Sequence, residues 1–190
     1  MISAASSDRD GVLLATSSRD HSVRLWDFES RKLQRTLFGH RGEVWSVALT
    51  PSGDLVASGS KDGEVKIWPT EPGARSDAIE GSWKHLGFSA DGNYLAASDR
   101  EGLLSIFNLR SGEAIHTMGL TPSASRSPWR STVSMSGDLS VLVEALEGGI
   151  VKVRNLEKET ELSFQATRRQ PGFVALSPSA DTVVTIARGA

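Results

Sequence analysis

Val23-Arg24-Leu25-Trp26-Asp27 comes back 42 residues later as Val65-Lys66-Ile67-Trp68. After another 39 it returns, with the tryptophan weakened to phenylalanine, as Leu104-Ser105-Ile106-Phe107-Asn108. A pattern that recurs about every forty residues marks serial copies of one supersecondary unit. A unit that short cannot bury a core of its own, so it stacks on its copies. The 190 residues therefore read as one array, not as one or two independent globular domains.

The second copy is the clearest, running from Gly39-His40 to Trp68. Val44-Trp45-Ser46-Val47-Ala48-Leu49 is a short apolar run, Thr50-Pro51-Ser52-Gly53-Asp54 has turn chemistry, and Leu55-Val56-Ala57-Ser58-Gly59-Ser60 is the next strand. Lys61-Asp62-Gly63 then turns the chain tightly into Glu64-Val65-Lys66-Ile67-Trp68, since aspartate and glycine accept the positive φ of a twist-matched hairpin. A more polar outer strand completes each unit, as Lys32-Leu33-Gln34-Arg35-Thr36-Leu37 does before Gly39-His40. Sliding back by 42 places Asp62 on Asp20, Ser58 on Thr16, Gly53 on Gly11 and Val44 on Ile2. Sliding forward by 39 places Gly53 on Gly92, Asp62 on Glu101, Gly63 on Gly102 and Trp68 on Phe107. A fourth, more degenerate copy carries Ser134-Met135-Ser136-Gly137-Asp138-Leu139 at its first turn and Gly148-Gly149 at its second, ending near Arg154-Asn155. Its longer lead-in, Thr121-Pro122-Ser123-Ala124-Ser125-Arg126-Ser127-Pro128, is expected to be a mobile connection. A fifth copy starts at Phe173-Val174-Ala175-Leu176-Ser177-Pro178 and stops around Arg188-Gly189-Ala190.

The expected fold class is all-β: a β-propeller of four-stranded antiparallel blades. The blades fall at about 1–38, 39–79, 80–120 and 128–166, with a partial one at 170–190, in a single segment over 1–190. Four and a half blades suggest an incomplete arc of a larger propeller, with an open blade edge through which copies could self-associate.

Hydrophobic residues make up 38% and charged residues 23%, and no window approaches the roughly 18 uninterrupted apolar residues of a membrane span. The start, Met1-Ile2-Ser3-Ala4-Ala5-Ser6, has neither a basic region nor a long apolar one, so a cytoplasmic location is the expectation. There is no cysteine, which removes disulfides, thiolate metal sites and cysteine nucleophiles. A net charge of −2 lacks the basic bias of a nucleic-acid binder.

With Gly39-His40 early, Trp26-Asp27 late and a period near forty, the chain resembles the WD-repeat β-propeller family over nearly all its length. The match is strong in the first two copies, weaker in the third, and weakest in the last two. The resemblance implies a rigid, non-catalytic scaffold for assembling other proteins. It also implies a structural tetrad of His40, Ser58, Asp62 and Trp68, in which the indole meets the hydroxyl, the hydroxyl one imidazole nitrogen, and the other nitrogen the carboxylate. The first copy offers a partial tetrad, Thr16, Asp20 and Trp26, without a preceding histidine. The third has Glu101 and Phe107 and the fourth Gly148 and Arg154, so neither closes the network, and stability is expected to decline toward the C-terminus.

Ser58, His40 and Asp62 are also the residue types of an acyl-transfer triad. A nucleophile needs an exposed hydroxyl and an oxyanion hole, whereas the repeat places Ser58 inside a blade, so no catalytic residue is assigned. His21, His85 and His116 lack ligand spacing, and no metal or cofactor is expected. Gly59-Ser60-Lys61-Asp62-Gly63 is hairpin chemistry in a β context, not a phosphate loop. Arg168-Arg169 reads as a solvated pair between blades.

In proteins of the family that this chain resembles, partners dock on the rim of the propeller mouth. The residue before the turn aspartate is Arg19, Lys61 or Arg100, and the start of the innermost strand offers Trp45 and, in the third copy, Lys84. Repeated cations on a chain of net charge −2 favour an acidic peptide or protein surface. Trp45 suits either blade packing or an exposed anchor. The alternative function is the sensing or targeting propeller of a larger enzyme, a kinase or protease for instance, with catalysis in another segment.

Overall fold

The computed structural model describes residues 1–73, 76–81, 83–99, 101–120, 132–168, 171–177 and 179–187. The connection expected to be mobile, Thr121 to Pro128, lies outside them, as do Arg100, Arg169, Pro178 and residues 188–190.

Alternating apolar and small residues, broken by glycine- and aspartate-bearing turns, give strands in strict up-and-down order. The first sheet is β1 (Ile2–Ser7), β2 (Leu13–Ser18), β3 (Val23–Asp27) and β4 (Lys32–Leu37). β5 (Val44–Leu49), β6 (Leu55–Ser60), β7 (Glu64–Pro69) and β8 (Asp77–Glu80) form the second. The third is β9 (Trp83–Phe88), β10 (Tyr94–Asp99), β11 (Leu103–Asn108) and β12 (Ala114–Gly119), and the fourth β13 (Thr132–Met135), β14 (Val141–Ala145), β15 (Ile150–Asn155) and β16 (Thr160–Gln165). β17 (Pro171–Leu176) and β18 (Val183–Ala187) pair as a two-stranded fifth sheet. A 3-10 turn at Glu147–Gly149 is the single helical element among the described residues. The fold is all-β, built of four-stranded antiparallel propeller blades.

The chain divides into two compact units, Met1–Thr117 and Met118–Ala190. In the first unit, the two faces of each sheet feed different cores because side chains alternate. Val56 and Trp68 of the second sheet pack with Ala15, Val23, Leu25, Val47 and Leu49. Their chain neighbours Ala57 and Ile67 point the other way, joining Trp83, Leu95, Ala97 and Phe107. Central strands buried on both faces explain why the sequence shows near-continuous apolar runs there. In the second unit Val143, Ala145 and Val151 of the fourth sheet pack on Val174 and Leu176 of the fifth. Each fully buried aliphatic side chain contributes about 1.5–3 kcal/mol.

The repeat is exact to the residue at the β-bulges: Ile2 opposes Ser18 and Val44 opposes Ser60, each followed by a register shift. The first turn of every copy closes with an amide-to-carbonyl bond across three residues, from Gly11 to Asp8, Gly53 to Thr50, Gly92 to Ser89, Leu139 to Ser136 and Ala180 to Ser177. All five donors have positive φ, between 59° and 75°. In the fourth copy the left-handed residue is thus Leu139, and Gly137, which stands out in the sequence, lies two positions before it.

Candidate functional site

Four side chains of the second sheet form one continuous hydrogen-bond chain. The Trp68 indole N–H donates to Ser58 Oγ at 2.8 Å. Ser58 in turn meets His40 Nε2 at 2.8 Å, and the other ring nitrogen, Nδ1, lies 2.9 Å from Asp62 Oδ2. A carboxylate only accepts, so Nδ1 carries the proton and Nε2 accepts from the serine hydroxyl. The backbone arranges this locally. Ser58 and Trp68 share a face, on adjacent antiparallel strands where Ser58 opposes Lys66 and Val56 opposes Trp68. Asp62 sits in the β6–β7 turn, where its second oxygen accepts the Glu64 amide at 3.2 Å. His40 enters over Gly39, whose φ is 149° and whose missing Cβ would lie 3.2 Å from the Trp68 ring. The imidazole then meets the indole edge-on, with centroids 5.9 Å apart.

Burial pushes the Asp62 carboxyl up. The Arg41 amide, the His40 ring and the Glu64 amide outweigh it and hold the group below the usual carboxylate range. The Arg41 amide bond is short, 2.7 Å. Ser58 is 0% exposed and His40 7%. The serine–imidazole–carboxylate geometry is that of an acyl-transfer triad, yet the hydroxyl is fully buried and accepts the indole N–H besides. His40, Asp62 and Glu64 also bring potential ligand atoms within 4.8 Å of one another. Both imidazole nitrogens are taken by Asp62 and Ser58, however, and the Glu64 carboxylate pairs with Lys66 at 2.8 Å.

The other sheets fill the same positions differently. In the first, Trp26 donates to Thr16 Oγ1 at 2.9 Å. Asp20 turns to the Ser22 hydroxyl and the Arg24 guanidinium, which hold its carboxyl well below the usual range. The third sheet has Ala97 at the hydroxyl position, and Phe107 packs edge-on against Trp83 with centroids 5.5 Å apart. In the fourth, Glu144 opposes Lys152 and Leu142 opposes Arg154, so Glu144 stands where Ser58 stands and Arg154 where Trp68 does. Arg154 Nε lies 3.1 Å from the Glu144 carboxylate, which is 1% exposed, and Arg154 Nη1 donates to the Gly119 carbonyl at 2.9 Å. Neither Glu144 nor Trp83 was singled out from the sequence. The 47-residue spacing from Phe107 to Arg154 maps Ala97 onto Glu144 and could have found it.

Of the rim residues, Arg19 and Lys61 are exposed in the equivalent turns of the first and second sheets. Trp45 is half-buried on β5 and donates to the Glu43 carboxylate at 3.2 Å. Lys84 lies on β9, and Arg100 is outside the described residues.

The family model described as "WD domain, G-beta repeat" matches residues 2–27 and 31–69. The chain is 33% identical over 146 residues to a WD repeat-containing protein, SL1-17, of Schistosoma mansoni, covering 75% of this chain and 46% of that protein. It is 31% identical over 144 residues to the small ribosomal subunit protein RACK1y of Oryza sativa subsp. japonica, covering 74% and 43%. Apoptotic protease-activating factor 1 of Rattus norvegicus is 28% identical over 186 residues, 94% of this chain and 15% of that protein. The chain thus spans less than half the length of these relatives.

Proposed function

We propose, for a chain that belongs to the WD-repeat β-propeller family, the role of a non-catalytic protein-interaction scaffold. The observation that carries this reading is Ser58, fully buried with its hydroxyl bonded on both sides to Trp68 and His40. This catalytic-looking constellation is spent on holding a blade together, a use that leaves the exposed turns for recognition. The relative whose printed name makes it a small ribosomal subunit protein supports membership of an assembly. That this chain is the targeting segment of a larger enzyme is the second reading, supported by its covering only 15% of apoptotic protease-activating factor 1.

The partner class is an acidic peptide or protein surface, received by the turn cations Arg19 and Lys61, with Trp45, Lys84 and Arg100 alongside. Residues 1–190 are read as a single propeller segment in the cytoplasm, able to self-associate through its open blade edge. Among the described residues no helix is long and apolar enough to cross a membrane. Rim charges act mainly on encounter rate and salt dependence. Arg19→Glu with Lys61→Glu is therefore expected to slow association with an acidic peptide and to flatten its salt dependence, with folding intact. Equal binding of acidic, neutral and basic peptides, or a charge reversal without effect, would overturn the reading.

A further inference from the structure

The fifth sheet sits on the fourth as the second sits on the first. Ser134 Oγ accepts the Leu176 amide at 2.9 Å, and Ser6 Oγ accepts the Leu49 amide at 3.1 Å. Leu176 therefore takes the place of Leu49. Because Leu176 opposes Val183 and Leu49 opposes Val56, Val183 falls on Val56 and Thr185 on Ser58. Thr185 is thus the last of a series that runs Thr16, Ser58, Ala97 and Glu144.

In each full sheet the residue at this position matches one on the third strand. Where it carries a hydroxyl, an indole donates to it: Trp26 to Thr16 at 2.9 Å and Trp68 to Ser58 at 2.8 Å. Where it is alanine the third strand has Phe107, and where it is glutamate, Arg154. Threonine at 185 follows the indole rule. Yet β18 is paired along one edge only, and among the described residues the Thr185 hydroxyl makes no hydrogen bond.

The fourth sheet has the surface such an indole needs. Phe164 opposes Val151 and Leu162 opposes Val153, so both share the face that packs on the fifth sheet. Their counterparts in the first sheet are Leu37, opposite Val23, and Arg35, opposite Leu25. The third strand of the second sheet and the residues after it cover both. Leu37 is buried in the cluster that holds Trp68, and Arg35 Nη1 donates to the Pro69, Thr70 and Glu71 carbonyls at 3.0, 3.1 and 2.9 Å. Phe164 and Leu162 are instead 42% and 64% exposed.

We infer that the outer edge of β18 is a binding site for an extended segment of another polypeptide, which adds antiparallel as a third strand and sets a tryptophan opposite Val183. The free N–H and C=O groups of the edge supply main-chain bonds, and side-chain pockets supply the selection. The indole N–H donates to Thr185 Oγ1 while the ring lies against Phe164. Leu162, standing where the first sheet has a guanidinium, takes an apolar side chain just after the tryptophan. A second copy of the chain lends neither β3 nor β7, since the strands that carry Trp26 and Trp68 are paired on both edges. The site uses neither the turn cations nor an acidic partner, and its test is independent of theirs.

The probe is a labelled peptide copying residues 63–70, which carries Trp68, beside a form with phenylalanine in place of the tryptophan. Fluorescence anisotropy on the 190-residue chain is expected to show the tryptophan form binding several-fold tighter. Thr185→Val should abolish that difference and Thr185→Ser should keep it, because the coupling belongs to the hydroxyl and the indole together. Leu162→Ser with Phe164→Ser, at exposed positions where folding is unaffected, should weaken both peptides. Absence of binding, equal affinity for the two peptides, or a preference that survives Thr185→Val would overturn the inference. So would a dimer joined through β18, seen by sizing, that the peptide does not dissociate, since the edge would then belong to a second copy.

Discussion

Replacing Arg154 with methionine would take an ion-pair partner from a buried carboxylate. Glu144 is 1% exposed on β14, and Arg154 Nε at 3.1 Å is its ion-pair partner. Breaking a buried pair by removing one member costs about 3–5 kcal/mol, because the remaining charge is left in a low-dielectric site. Arg154 is itself 15% exposed, and Lys152 opposes Glu144 in the ladder, so the lower end applies. Arg154→Met is therefore expected to lose about 3 kcal/mol, more than a hundredfold in the folding equilibrium. Removing both charges, in Glu144→Met with Arg154→Met, should be far milder than the single change, since a buried pair replaced by apolar groups is close to neutral. A third arm, Glu144→Ser with Arg154→Trp, writes the residues of the second sheet into the fourth and should be more stable than either of its single variants. Urea denaturation by circular dichroism gives the magnitudes, and amide exchange at Val151 and Val153 localises them. A loss under about 1 kcal/mol for Arg154→Met, or a double variant as damaged as the sum of the singles, would refute the reasoning.

Asp62→Ala should cost about 1–3 kcal/mol, because it leaves the buried His40 N–H without its acceptor, whereas Glu64→Ala, which removes a partly exposed pair with Lys66, should cost less, about 1 kcal/mol. Chemical denaturation of the two side by side checks this. The Asp62 carboxyl is held below its ordinary value of 3.8, so its contribution is present above that pH and lost as pH falls through the lower folded value. Stability of wild type but not of Asp62→Ala should therefore show that acid-side loss in pH-dependent urea titrations. Gly59→Ala would bring a Cβ to 2.6 Å from Ser46 Oγ and 2.8 Å from the Trp83 carbonyl, and is expected to destabilise by about 1–3 kcal/mol in thermal melts.

Strand order, turns and the second-sheet hydrogen-bond chain were legible because they depend on residue types with narrow uses. An indole, a small hydroxyl, an imidazole and a turn aspartate at fixed spacing leave few alternatives. The third and fourth sheets hid their solutions, since the same backbone positions accept unrelated chemistry. Trp83 against Phe107 is apolar packing, and Glu144 with Arg154 is an ion pair, and neither resembles the motif that it replaces. Leu139 and Ala180 were equally hard to see. They adopt φ of 61° and 59° where the earlier copies use glycine, a burden the surrounding repeat imposes and composition does not announce. Where the rim side chains reach depends on exposure, which spacing alone does not give.

The equal spacing of the β-turn partners has a consequence for how such a chain can change. Each outward turn is framed by a pair six positions apart, from Ser17 and Val23 to Ala145 and Val151. The frame is the same length in all four sheets, and the turn aspartates reach back into it, Asp62 to His40 and Asp20 to Arg24. Turn sequences that keep the aspartate are consequently letters of one length: Arg19-Asp20-His21 and Lys61-Asp62-Gly63 fill frames of the same span. A lineage, or an experimenter, can therefore vary the message displayed at these turns while the grammar of the sheets stays fixed.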